Sequence, residues 1–122
     1  MITIKLPYPP SANKVWRTGR GVTFLSKEAT AFRKEVALVM LGLSLQERSE
    51  MPFCDALTVS IRVYPPDKRR RDIDNLLKPT LDALEHAGVY VNDNLIECLT
   101  IKRLDVAKPG FIEVDIFPTQ DL

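Results

Sequence analysis

Apolar and polar residues alternate from the start of the chain: Ile2, Ile4 and Leu6 fall on one side, Thr3 and Lys5 on the other. A period of two suits a strand with one buried face, so residues 1–6 are expected to form one. Pro7-Tyr8-Pro9-Pro10-Ser11 ends it, because proline offers no donor to a ladder. Further on the spacing changes. Ala29, Phe32, Val36, Val39, Met40 and Leu43 recur at three and four residues, which predicts a helix over about 27–44 with Ser26 as its N-cap. Period two returns at 56–64, with Leu57, Val59, Ile61 and Val63 inward and Thr58, Ser60 and Arg62 outward. Pro65-Pro66 stops that strand. Ile73, Leu76, Leu77, Leu81 and Leu84 then trace a second helical stripe, over about 75–87, with Gly88 beyond its end. Strands are expected at 95–104 and 111–117, joined as a hairpin through the turn Ala107-Lys108-Pro109-Gly110. The order β-α-β-α-β-β predicts an α+β (mixed α/β) fold, one four-stranded mixed sheet carrying two helices, in a single domain over 1–122.

Three stretches lie outside this periodicity. Residues 13–24 read as a mobile basic loop or small hairpin around Thr18-Gly19-Arg20-Gly21, residues 46–55 as a polar linker, and 88–94 as a connector through Asn92-Asp93-Asn94. In the first, Trp16 either packs the loop onto the body or, with Lys14, Arg17 and Arg20, offers a stacking surface among cations, the mixture used on nucleic acid.

The net charge of +1 conceals segregation: residues 1–34 hold seven Lys or Arg and one acid, Glu28, whereas 80–122 hold eight acids and three cations. A basic first third plus the run Lys68-Arg69-Arg70-Arg71 can make one positive face on a nearly neutral protein. The chain has no apolar run of the roughly 20 residues a span requires and no signal-peptide core near Met1, so a cytoplasmic protein without membrane contact is expected. Cys54 and Cys98 stand far apart with a single histidine, His86, which argues for reduced, space-filling thiols and against zinc.

Charge is most concentrated where the second long strand ends: four cations run directly into Asp72 and Asp74. In extended chain these acids would point to the same side if the helix begins no earlier than Asp74. Converging carboxylates repel unless a cation lies between them, and hard cations such as Mg2+ take oxygen ligands while leaving room for water and substrate phosphate. The adjacent arginines suit phosphate. Metal-binding acids beside phosphate-binding bases point to phosphodiester chemistry. The plainer alternative is a capping aspartate and a surface pair between Asp74 and Lys78 at i,i+4. A helix over 75–87 is about 20 Å long, and the five steps from Gly88 to Asp93 span up to about 18 Å, so Asp93 can return most of the way to the helix start.

Leu6-Pro7-Tyr8-Pro9-Pro10-Ser11-Ala12-Asn13, the segment Arg17 to Gly21, the block Pro66 to Leu76 with Lys78, Asp82-Ala83-Leu84 and Asn92-Asp93 together resemble the RusA-type Holliday junction resolvases, a family of small phage and prophage endonucleases. The resemblance implies an active site of Asp72, Asp74 and Asp93 with one or two Mg2+, assisted by Lys78. It also implies a homodimer that cuts two opposed strands of a four-way DNA junction in recombination and repair. Asn92 stands where relatives often carry a second acid. Asn13, Lys14, Trp16, Arg17, Arg20, Lys68, Arg69, Arg70 and Arg71 are the expected DNA-binding set. Two rivals remain open: a structure-selective or RNA nuclease with the same metal site, and a non-catalytic DNA-binding phage module.

Overall fold

In a computed structural model, which describes residues 1–121, β1 (Ile2–Pro7) keeps the alternation, with Ile2, Ile4 and Leu6 buried and Thr3 and Lys5 exposed. A short 3-10 turn at Ala12–Lys14 leads into a hairpin of β2 (Trp16–Gly19) and β3 (Val22–Leu25). Ser26, itself buried, accepts a hydrogen bond from the Ala29 N–H at 3.1 Å and starts α1 (Lys27–Leu41), whose Ala29, Phe32, Val36 and Met40 are buried. The helix stops three residues short of expectation. Gly42 follows it, and Ser44 opens a separate one-turn helix, α2 (Leu45–Arg48), through a reciprocal capping box with Glu47. Part of the stretch expected as a linker is therefore helical, so among the described residues a one-turn helix is added to the two long ones expected.

β4 (Leu57–Tyr64) ends at Pro65-Pro66, as its prolines require. A 3-10 turn, Ile73–Leu76, then precedes α3 (Leu77–His86). Pro79 explains the division. It falls in the first turn of α3, where its missing N–H leaves no intrahelical bond unmade, whereas in a helix running on from Ile73 it would break the ladder. β5 (Ile96–Arg103) and β6 (Phe111–Pro118) complete the chain.

The sheet order is β1-β6-β4-β5, with β4 and β5 parallel and the other neighbours antiparallel. The expected hairpin between the last two strands is thus not formed. The route from β4 through α3 to β5 is a crossover, which returns the chain in the same direction and adds a parallel strand. β6 then lies between β1 and β4, where Ile112, Val114 and Ile116 are fully buried. β5 alternates only loosely, exposes Leu99, and takes the edge. Helices α1 and α3 cover one sheet face, packing Phe32, Val36, Met40, Ala83 and Leu84 onto Ile4, Leu6, Val59, Ile61 and Val114.

The other face is polar and held by charge. Arg62 reaches Asp115 at 2.6 and 3.2 Å and Glu113 at 3.4 Å, and Thr3 donates to Asp115 at 2.8 Å. The Arg62 bonds hold the Asp115 carboxyl below its ordinary range. Cys54 and Cys98 are both exposed free thiols, so neither fills the core as expected.

Candidate active site

The basic run leaves β4 as a structured corner. Asp67 accepts hydrogen bonds from Arg71 Nη1 at 2.6 Å and from the Arg69 N–H at 2.9 Å. The Arg71 guanidinium first, and then the Arg69 amide, hold its carboxyl down at about 2. Arg71 is only 26% exposed at its side chain and also faces the Tyr8 ring at 5.7 Å, so this arginine pins the corner. Lys68, Arg69 and Arg70 are exposed to solvent. Arg103, at the end of β5, donates to the Arg71 carbonyl and lines, with Lys68 to Arg71, a hollow of about 410 Å³. Nothing local in the sequence marks Arg103 as part of this corner. It arrives there because β5 runs parallel to β4, with Arg103 opposite Val63.

Asp72 sits just before the 3-10 turn with extended backbone, φ −82° and ψ 128°, and its side chain makes no capping hydrogen bond. A carboxylate that caps nothing is a poor match to the purely structural alternative. Asp74, however, lies inside a turn that begins at Ile73. The extended 72–74 geometry on which same-side pointing depended is therefore absent. Both acids are exposed.

The third aspartate returns as the connector length allowed. Phe53 and Tyr90 form an isolated parallel bridge, with Phe53 N–H donating to the Val89 carbonyl at 2.9 Å and Val91 N–H to the Phe53 carbonyl at 3.1 Å. The chain then runs back along α3 until Asp93 Oδ2 lies 3.7 Å from Lys78 Nζ. Lys78 also pairs with Asp82 at 3.0 Å, and these acids, Asp82 foremost, raise its pKa. Its i,i+4 partner is thus Asp82, not Asp74. The Asp93 N–H donates to Glu85 Oε1 at 2.7 Å. Tyr90, whose hydroxyl donates to the Leu81 carbonyl at 2.6 Å, has its pKa pushed up by burial and then by Asp93, Glu85 and Asp82. Asp82 and Glu85 are neighbours of the site; Asp82 belongs to the Asp82-Ala83-Leu84 segment of the resemblance, whereas Glu85 is singled out by nothing in it. The signal was available, since 78, 82 and 85 share one helical face at i, i+4 and i+7.

In kind, Asp72, Asp74 and Asp93 suit a hard cation, being carboxylates on accessible surface. In arrangement, no three His, Cys, Asp or Glu side chains among the described residues gather closely enough to hold a metal ion. The site lies beside an open cleft of about 870 Å³ bordered by Pro9, Lys14, Glu28 and Glu35 on one side and by Arg70, Asp72 and Asn75 on the other. The first third and the central basic run therefore do meet, around Asp72.

The family described as Endodeoxyribonuclease RusA matches this sequence over residues 7–116. The chain belongs to the RusA endodeoxyribonuclease family. The match takes in both sides of the cleft, from the Pro7 segment through Asp93 to β6. Among its relatives, the crossover junction endodeoxyribonuclease of Enterobacteria phage 82 is 38% identical over 113 residues, covering 93% of this chain and 91% of that protein. The Escherichia coli K12 protein of the same name is 37% identical over 114 residues, covering 93% and 92%, and that of Shigella sonnei Ss046 is 36% identical over 114 residues. Among the described residues, no helix of this RusA-family chain is long and apolar enough to cross a membrane.

Proposed function

We propose that this RusA-family chain resolves four-way DNA junctions by Mg2+-dependent hydrolysis of two opposed strands, acting as a homodimer in the cytoplasm. The observation that carries the reading is Asp72, a carboxylate that caps nothing, placed on a cleft shared with Lys14 and Arg70. Asp72, Asp74 and Asp93, which do not gather closely enough by themselves, would have to be drawn together around one or two Mg2+. When bound, the metal would polarise the scissile phosphodiester, acidify the attacking water and stabilise the leaving oxygen.

The chain's own groups do the rest. Lys68, Arg69 and Arg70 are exposed cations beside the cleft and hold the phosphates that flank the cut. Asp67 and Arg71 hold that run in place. Lys78 carries its charge next to Asp93 and stabilises the developing negative charge or orients the attacking water. Hydrolysis adds water across one P–O bond, leaving a 5′ phosphate and a 3′ hydroxyl. A two-fold dimer supplies two such sites to the two symmetric strands.

The test is a synthetic four-way junction incubated with and without Mg2+, alongside duplex, flap and RNA substrates. Paired nicks in the junction alone are expected. Cleavage of flaps or RNA at equal rate would favour a general structure-selective nuclease, and absence of Mg2+-dependent turnover would leave a DNA-binding module.

A further inference from the structure

The β2–β3 hairpin stands off the body, and what it exposes is unusual. Trp16 and Phe24 are 56% and 50% accessible, and Val22 is 61% accessible. In the observed register Trp16 lies opposite Leu25 and Arg17 opposite Phe24, so the two aromatics occupy opposite faces of a two-stranded ribbon. The Phe24 ring lies over Gly19, where an added Cβ would meet it at 3.5 Å. The tip is Arg20-Gly21, with φ of 53° and 75°. A two-residue turn of this hand is normally made by asparagine or glycine, and here an arginine is held at the apex at conformational cost. Residues 13–27 contain Lys14, Arg17, Arg20 and Lys27 and no acid. Lys14, just before the hairpin, and Glu28, in the first turn of α1 just after it, both border the cleft that holds Asp72, so the root of the ribbon lies at that cleft.

We propose that this hairpin is a two-sided stacking prong that reads the branch point: Trp16 and Phe24 take exposed base faces, while Lys14, Arg17 and Arg20 hold the flanking phosphates. The inference rests on the branched-DNA reading and adds the residues that set its selectivity. An aromatic ring gains from a nucleobase only where the base face is free, and in continuous duplex each face is covered by its neighbour. A crossover exposes such faces. Exposed aromatics among cations, without a nearby acid on the same segment, complement a polyanion with open π surfaces. Two opposed aromatics also fit an element that enters between strands, since a surface patch would need only one face.

Trp16 is the chain's single tryptophan, so its fluorescence reports the prong directly. With Ca2+ in place of Mg2+, Trp16 quenching is followed in the unaltered chain, and the anisotropy of dye-labelled junction and duplex of equal length gives affinities for that chain and for Trp16→Ala, Phe24→Ala, Trp16→Phe and the double variant Arg17→Gln/Arg20→Gln. Quenching by the junction well beyond that by duplex is expected. Each alanine variant should lose roughly tenfold in junction affinity with duplex affinity changed less than about twofold, and Trp16→Phe should retain most of the junction affinity. The arginine variant should weaken both DNAs and reduce the salt slope by about two. Equal effects of the alanine variants on junction and duplex, or unchanged junction affinity, would overturn the prong while leaving the branched-DNA reading intact. A Trp16 signal that follows protein concentration instead of DNA would assign the hairpin to a protein interface and overturn it too. Failure of the unaltered chain to bind junctions at all would remove the branched-DNA reading itself.

Discussion

Two carboxylates of one corner, Asp67 and Asp72, differ in what they bond. Asp67 is spent on structure: two charge-assisted bonds hold its carboxyl at about 2 against an ordinary 3.8. A depressed carboxyl contributes order that is complete above its unfolded value and is lost as pH falls through its folded one. The Arg69 to Arg71 corner should thus be intact above about pH 4 and loosen as pH falls toward 2. Carboxyl NMR of Asp67 should give a midpoint near 2, and Asp67→Ala should deprotect the Arg69 amide to exchange at neutral pH. Asp72, whose side chain makes no capping bond, is free for chemistry. Asp72→Asn should lower junction cleavage by on the order of a hundred- to a thousandfold while leaving junction binding equal or tighter, since a charge that repels phosphate is removed. Cleavage rates in Mg2+ and gel shifts in its absence separate the two effects.

At the scale of elements, the site depends on how α3 receives the returning connector. Glu85 accepts the Asp93 N–H, so it positions the third aspartate without facing the cleft. Glu85→Ala should lower kcat about tenfold with KM and junction affinity nearly unchanged, and Glu85→Gln should restore it because an amide oxygen still accepts that bond. Single-turnover cleavage measures this. Buried Thr80 donates to the Leu76 carbonyl at 2.7 Å and ties the first turn of α3 to the 3-10 turn carrying Asp74. Leu84, fully buried against the sheet, is the element's anchor. Leu84→Ala should cost about 2–5 kcal/mol, read from urea unfolding.

For the molecule as a whole, binding strength should come from segregated rather than total charge. Arg69 is 82% exposed at its side chain, so a single Arg69→Ala change should leave stability unaltered, weaken all DNAs alike and reduce the slope of log affinity against log salt by about one. An unchanged slope would mark Arg69 as a solvated bystander. The proposed dimer makes a separate demand: light scattering should report twice the 13.8 kDa chain mass at working concentration.

Sequence by itself determined the elements that depend on short-range pattern. The strands Ile2–Pro7, Leu57–Tyr64 and Phe111–Pro118 follow period two, Ser26 caps α1, and Pro65-Pro66 ends β4. Alternation reports whether a side chain faces the core, and capping is settled within four residues. Only the tertiary structure decided which strands pair and which charges meet. It put β6 between β1 and β4, gave Lys78 to Asp82 and Asp93 in place of Asp74, gave Arg71 to Asp67, and left Trp16 outside the core. Those choices depend on the direction of a crossover and on distances between residues far apart in the chain, which neither periodicity nor spacing encodes.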